Sequence, residues 1–264
     1  MFMTVIVVVI ALFIGLFANR FIRSRSRGDD EDSGYSLSDL MSPLETLAVL
    51  LLAFVLVVAA ESFDSAESAA QAEADAVDNL YEVASFAPDP QKQQLQASIV
   101  CYVRAIKASE WPIMTGGDIS PVADSWTDGF TRTFAGLTER PYFEPLVEAD
   151  QERSSARRER LAQAQPSVPA YVYWFMAVVL GVTIIGFAFA LPRRNNVFHI
   201  ITLGVLTLLF AVSLTLIQDI DRPFTGTVHV DSEELTITQQ HITALYTGSY
   251  SPASLPCDQQ GRPK

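Results

Sequence analysis

The sequence predicts an all-α membrane protein, with four transmembrane helices and a helical-bundle domain inserted between the second and third. Three observations lead there. Hydrophobic residues make up 49% of the chain and are bunched rather than dispersed. They fall into runs at 1–18, 44–60, 170–191 and 197–217 that, apart from Glu45, lack Asp, Glu, Lys and Arg. Between the second and third runs, apolar residues recur at helical spacing and prolines punctuate the periodic stretches.

Each of the four runs has the roughly 17 to 20 residues that a helix needs to cross about 30 Å of hydrocarbon. The first is read as an anchor rather than a signal peptide, because MFMT carries no positive charge and no small-x-small cleavage site precedes the arginines. Arg20, Arg23, Arg25 and Arg27 follow the first span, and Arg193 and Arg194 separate the third from the fourth. Positive charge in short loops is retained in the cytoplasm, so residues 19–43 are placed inside and residues 61–169 and 218–264 outside. Arg153, Arg157, Arg158 and Arg160, close to span three, count against that orientation. Cys101 and Cys257, the only cysteines, fall on the same side of the membrane in this topology. A disulfide between them requires an oxidising compartment and agrees with an extracytoplasmic location; two unrelated buried thiols are the alternative.

Residues 61–169 read as four helices. Phe63, Ala66, Ala70, Val77, Leu80, Ala84 and Ala87 form a heptad stripe interrupted by Glu73, so span two is expected to run straight on into an exposed helix that Pro88 and Pro90 end. A second helix from about Gln91 carries Leu95, Ile99, Tyr102, Val103 and Ile106, with Pro112 as its stop. Pro121 opens a third, with Val122, Trp126, Phe130 and Phe134 on one face. The fourth spans about 141–165 and ends before Pro166 and Pro169. After span four, Asp231 and Glu234 have the spacing of a capping box for a final short helix.

Residues 61–86 contain seven carboxylates and no Lys or Arg. Arg153, Arg157 and Arg160 share a face of the returning fourth helix, and Arg157 lies about as far from the membrane as Glu73 and Asp75, which predicts exposed stalk pairing of these two with Arg157 worth about 0 to 1 kcal/mol per pair. Glu61 and Asp64, nearest the membrane, have no base opposite them and are candidates for a cation vestibule. The inserted segment keeps 18 acids against 9 bases, so a net negative field survives pairing.

Chemistry leaves few marks. The spans contain no Asp, Glu, Lys or Arg beyond Glu45, and His199, His229 and His241 form no metal-binding pair. Phosphate-binding glycine loops, a nucleophile elbow and CxxC pairs are missing, so no enzyme, cofactor, metal or nucleic-acid partner is expected. Gly181, Thr183 and Gly186 in span three, with Thr202, Gly204, Thr207, Ser213 and Thr215 in span four, suit close helix packing; four helices alone enclose no aqueous path, so conduction would require an oligomer.

Several blocks carry a resemblance. DRPF, with Asp221, Arg222, Pro223 and Phe224, precedes the helix start VHVDSEEL, and CYVRAIKASEWPIM contains Glu110, Trp111 and Pro112. With LLLAFVLVVAAESFDSAESAAQAEADAVDNLYEVA and the tail LPCDQQGRP, these resemble in order and spacing a bacterial bestrophin-like family of unknown function, from about residue 44 to the end. The resemblance implies a bacterial plasma-membrane protein with the bestrophin architecture, which in bestrophins assembles as a pentamer around an ion pore. It also implies a cytoplasmic helical domain, opposite to the arginine and cysteine placement. No counterpart of the hydrophobic neck or calcium clasp of the animal channels is recognisable. Two functions therefore stand: an oligomeric ion channel, or a non-conducting membrane protein whose extracytoplasmic helical domain binds or senses an envelope partner.

Overall fold

The computed structural model describes residues 6, 9–17, 21, 37–116, 118–137, 140–190 and 197–264. Their order is α1 (Leu37–Ala84), α2 (Gln91–Ala105), α3 (Pro121–Ala135), α4 (Phe143–Gln163), α5 (Ala170–Ala190), α6 (Val197–Ile220) and α7 (Glu233–Ser249), with residues 9–17 also helical. No strand occurs among the described residues, only an isolated bridge between Cys257 and Pro263. The chain divides into a unit of residues 1–61 and 167–221 and a unit of residues 62–166 and 222–264.

The first unit holds the apolar helices. Three described helices are long and apolar enough to cross a membrane, within Met41–Ala84, Ala170–Ala188 and Ile200–Ile220. Of the first run, residues 6 and 9–17 are described; the loop arginines from Arg20 to Arg27 and Arg193 with Arg194 lie outside the described residues. Ala48, Val55 and Ala59 of α1 pack with Met176, Leu180 and Ile184 of α5 and Phe210, Leu214 and Ile217 of α6. The outer faces remain bare: Leu50, Phe54, Trp174, Phe175, Val178, Leu208 and Leu209 are all exposed. Bare apolar helix surface of this kind suits lipid as solvent. Small residues set the contacts, since a Cβ on Gly15 would come within 2.6 Å of Ala188 and one on Gly186 would overlap the Met41 side chain. The Thr183 and Thr207 hydroxyls, both buried, donate to the carbonyls of Val179 and Leu203 four residues back, at 2.8 and 2.7 Å. Neither polar group is therefore left unsatisfied away from water.

α1 begins earlier than the expected residue 44, with Pro43 inside it. Near the helix start a proline costs one ladder bond, and the Ser42 carbonyl is engaged by the Thr46 hydroxyl at 3.0 Å. Asp221 ties the other two helices together at one end. Its Oδ1 accepts from Ser167 N, Ser167 Oγ and Val168 N at 3.0, 2.9 and 2.9 Å, joining the residue after α6 to the approach to α5.

The helical unit is organised around α2, buried almost all round through Leu95, Ile99, Val100, Cys101, Tyr102, Val103 and Ala105. It packs against α3 and α7. The outer half of α1 contributes Val77, Leu80, Tyr81 and Ala84 to the same core, and α3 contributes Ala123, Trp126, Phe130 and Phe134. As a regular α-helix α2 ends at Ala105, before the expected stop at Pro112. It widens into a π turn, Ile106–Glu110, and then tightens into a 3-10 turn, Trp111–Gly116, that takes the proline in stride. The expected capping box also differs: α7 starts at Glu233, whose N–H donates to Asp231 Oδ1 at 2.8 Å, and Ser232 occupies the cap position.

Candidate functional site

The π turn has one main consequence, which is to direct Glu110 into the interior. Its side chain is 0% exposed, as is that of Glu73 on α1. Opposite them α4 presents Arg153, Arg157 and Arg160, at spacings of four and three and all buried. Apolar residues are few on this helix, and guanidinium groups supply much of its inward face.

Glu110 Oε1 accepts from Arg160 Nη2 at 2.7 Å and Arg157 Nε at 3.1 Å. Its Oε2 accepts from Arg157 Nη2 and from the backbone N–H of Ser120 at 3.3 Å. Glu73 Oε2 accepts from Arg160 Nε, and its Oε1 from the Tyr102 hydroxyl at 2.7 Å. Arg157 reaches outward through Nη1 to Asp124 at 2.8 Å, a carboxylate 50% exposed. Arg160 lies 5.0 Å above the Trp111 ring and contacts Met114 Sδ. Arg153 is held by Asp150 at 2.7 Å and lies over the rings of Tyr102 and Phe130 at 4.7 and 5.4 Å.

Burial favours the neutral form of Glu110, but the hydrogen bond from Arg157 and the charges of Arg160 and Arg157 outweigh it and hold the carboxyl below its usual range. Burial, and then the charge of Glu73, push the Tyr102 phenol well above its usual range, so it stays a donor. Burial opposes the charge of Arg160, yet Glu73 and Glu110 keep its pKa raised. Glu110, Arg157 and Arg160 are thus held charged, and the cluster is cross-linked. It fixes α1, the π turn, α3 and α4 in register.

The pairing differs from the expected stalk in partner and in setting. Glu73 meets Arg160 rather than Arg157, Arg153 turns to Asp150, and Asp75 stands exposed on the other side of α1. Alone, α1 and α4 would be two solvated rods, but α2 and α3 close over the shared face and remove it from water. Glu110 and Tyr102 were missed as partners; the one available signal was Glu73 at a heptad core position. Glu61 and Asp64 are both exposed on α1.

Cys101 and Cys257 form a disulfide with a Cα–Cα distance of 5.8 Å. It staples the C-terminal segment to α2. Trp126 Nε1 donates to Gly261 O at 2.7 Å and Arg104 Nη1 to Asp258 O at 3.2 Å, while Gly261, at φ +75°, lies against the Ala105 backbone. The motif residues on either side of the cluster also meet, with Trp111 and Phe224 edge to face at 5.5 Å.

The Bestrophin-like domain matches residues 6–235, nearly the whole chain. The chain belongs to the bestrophin-like family. Its fold is that of two crystal structures of a bacterial bestrophin homologue from Klebsiella pneumoniae, each carrying a single substitution. One superposes with a TM-score of 0.70 at 11% identity, over 94% of this chain and 99% of that one. The other gives 0.68 at 11% identity, over 93% and 98%. A third structure, described as a membrane protein variant, gives 0.70 at 11% identity over 93% and 98%. No curated protein matches the sequence significantly. At such identities the likeness concerns fold alone. In this bestrophin-like chain Glu110 and Trp111 engage the arginines, Asp221 joins the approach to α5 to the end of α6, Pro223 O accepts from Val230 N at 2.6 Å, and Arg222 is exposed beside Phe224 and Thr225.

Proposed function

We propose that this bestrophin-like protein crosses the bacterial plasma membrane four times, places its inserted helical bundle outside, and assembles as a homo-oligomer that conducts cations along the acidic face of α1. The observation that carries the reading is the division of labour on that helix. Ala66, Ala70, Glu73, Ala74, Val77 and Leu80 turn inward. Asp64, Glu67, Asp75 and Glu82 lie exposed along the opposite arc, continuous with a segment apolar enough to span a membrane. The buried carboxylate on α1 is matched by arginine, whereas the exposed ones leave a negative strip that concentrates cations. Only repeated copies can close such a strip around a path.

The outward orientation draws support from the Cys101–Cys257 disulfide, which persists in oxidising compartments. The same disulfide favours the second reading, a non-conducting extracytoplasmic sensor. Purification in detergent followed by native mass measurement and reconstitution into vesicles separates them. A homo-oligomer with cation flux above protein-free vesicles supports the channel, and a monomer without flux supports the sensor.

A further inference from the structure

The disulfide-stapled segment forms one wall of an open cleft of about 640 Å³ in the helical unit. Gln91, Gln94 and Ser98 of α2 form the second wall, and α3 from Ser125 to Thr133 the third. Arg132 and Lys264 line the cleft and, among the described residues, no Asp or Glu does, in a chain whose net charge is −12. α2 also begins here with no acidic residue in its first turn and no side-chain cap, which adds positive potential. The size is that of a small-molecule site.

The hydroxyls narrow the chemistry. Ser98, Ser125 and Thr133 donate their protons to helix carbonyls, those of Gln94, Val122 and Gly129, at 2.8, 2.7 and 3.0 Å. Their oxygens are left as acceptors. Arg132 spends Nε on the Asp128 carbonyl at 3.3 Å and Lys264 one proton on the Leu255 carbonyl at 3.1 Å, leaving further donors on both cations. A matching ligand carries an anionic group for the cations and hydrogen-bond donors for the hydroxyl oxygens and glutamine amides. We infer that this cleft binds a small polyhydroxylated organic acid of the sugar-acid class, and that the Cys101–Cys257 disulfide is needed to form the site. The inference is independent of ion conduction, because the cleft needs neither an oligomer nor a pore.

Titration calorimetry on the oxidised full chain in detergent tests it, with glucuronate as probe and hexanoate and sulfate as comparisons. Glucuronate is expected to bind at least about tenfold more tightly than hexanoate, which has the carboxylate without the donors, or than sulfate, which has the charge alone. A Cβ on Gly129, which lines the cleft, meets nothing within 4 Å, so Gly129→Trp is expected to project into the cleft. Gly129→Trp, Arg132→Glu and reduction of the disulfide should each weaken glucuronate binding at least about tenfold, with helix content by circular dichroism unchanged in the two substitutions. Glucuronate binding no tighter than sulfate, or binding indifferent to both substitutions, overturns the assignment.

Discussion

Arg160 lies between two carboxylates with its guanidinium over an indole, and the guanidinium and both carboxylates are out of water. Breaking one side of such an arrangement leaves an uncompensated buried charge, which costs about 3 to 5 kcal/mol. Glu110→Ala and Glu73→Ala should each lower stability by that amount in denaturant titrations, several times what the exposed pairs first expected would contribute. The charge on Glu110 should also be visible as a pH dependence. Because Arg157 and Arg160 depress its pKa in the folded state, its contribution is complete above the unfolded carboxylate value of about 4.3 and disappears as pH falls through the lower folded value. Glu110→Gln removes that acid-side loss, so wild type and variant should converge in stability as the pH is lowered. Parallel curves would show that the carboxylate is not held charged. At Gly261 a different physics applies: φ is +75° and a Cβ would run into the Ala105 backbone. Gly261→Ala should cost about 1 to 3 kcal/mol and loosen the C-terminal segment, read as faster amide exchange at residues 255–264.

Among the elements, the C-terminal segment depends most on a covalent link. Closing a loop with a sequence separation of 156 residues contributes about 4 to 5 kcal/mol through the unfolded state. Cys101→Ser should shift the unfolding midpoint down by an amount matching reduction of the wild type, and reduction should then leave the variant unaffected. The cysteine pair was legible because membrane topology placed both on one side, and the helix ends at Pro88, Pro121 and Pro166 were legible because proline acts locally. What escaped reading was non-local. The π turn at Ile106–Glu110 depends on where Glu110 finds its partners, and those partners are on a helix some fifty residues further along. Glu73 looked like a break in a heptad because its partners, Tyr102 and Arg160, belong to two other elements. A polar α4 looked solvated because periodicity weighs arginine as surface, whereas three arginines with carboxylate and aromatic partners form a buried face.

For the whole molecule, the order of apolar runs, acid-rich helix and closing motifs sufficed to indicate the family, while orientation and conduction depend on membrane and copies outside a single chain. The extracytoplasmic placement predicts that a cysteine introduced at Gly117, in a background lacking the native pair, reacts with an impermeant maleimide in intact cells, and that one at Ser26 reacts only after permeabilisation. The reverse pattern would put the acidic helix in the cytoplasm. In the proposed channel the exposed carboxylates of α1 face the conducted ion. The reversal potential of reconstituted protein under a potassium chloride gradient reads this directly. Wild type should reverse near the potassium equilibrium potential, and Asp64→Lys with Glu67→Lys should move the value toward that of chloride while the oligomer persists. An unchanged reversal potential in the double variant, or no current from an intact oligomer, would contradict the account.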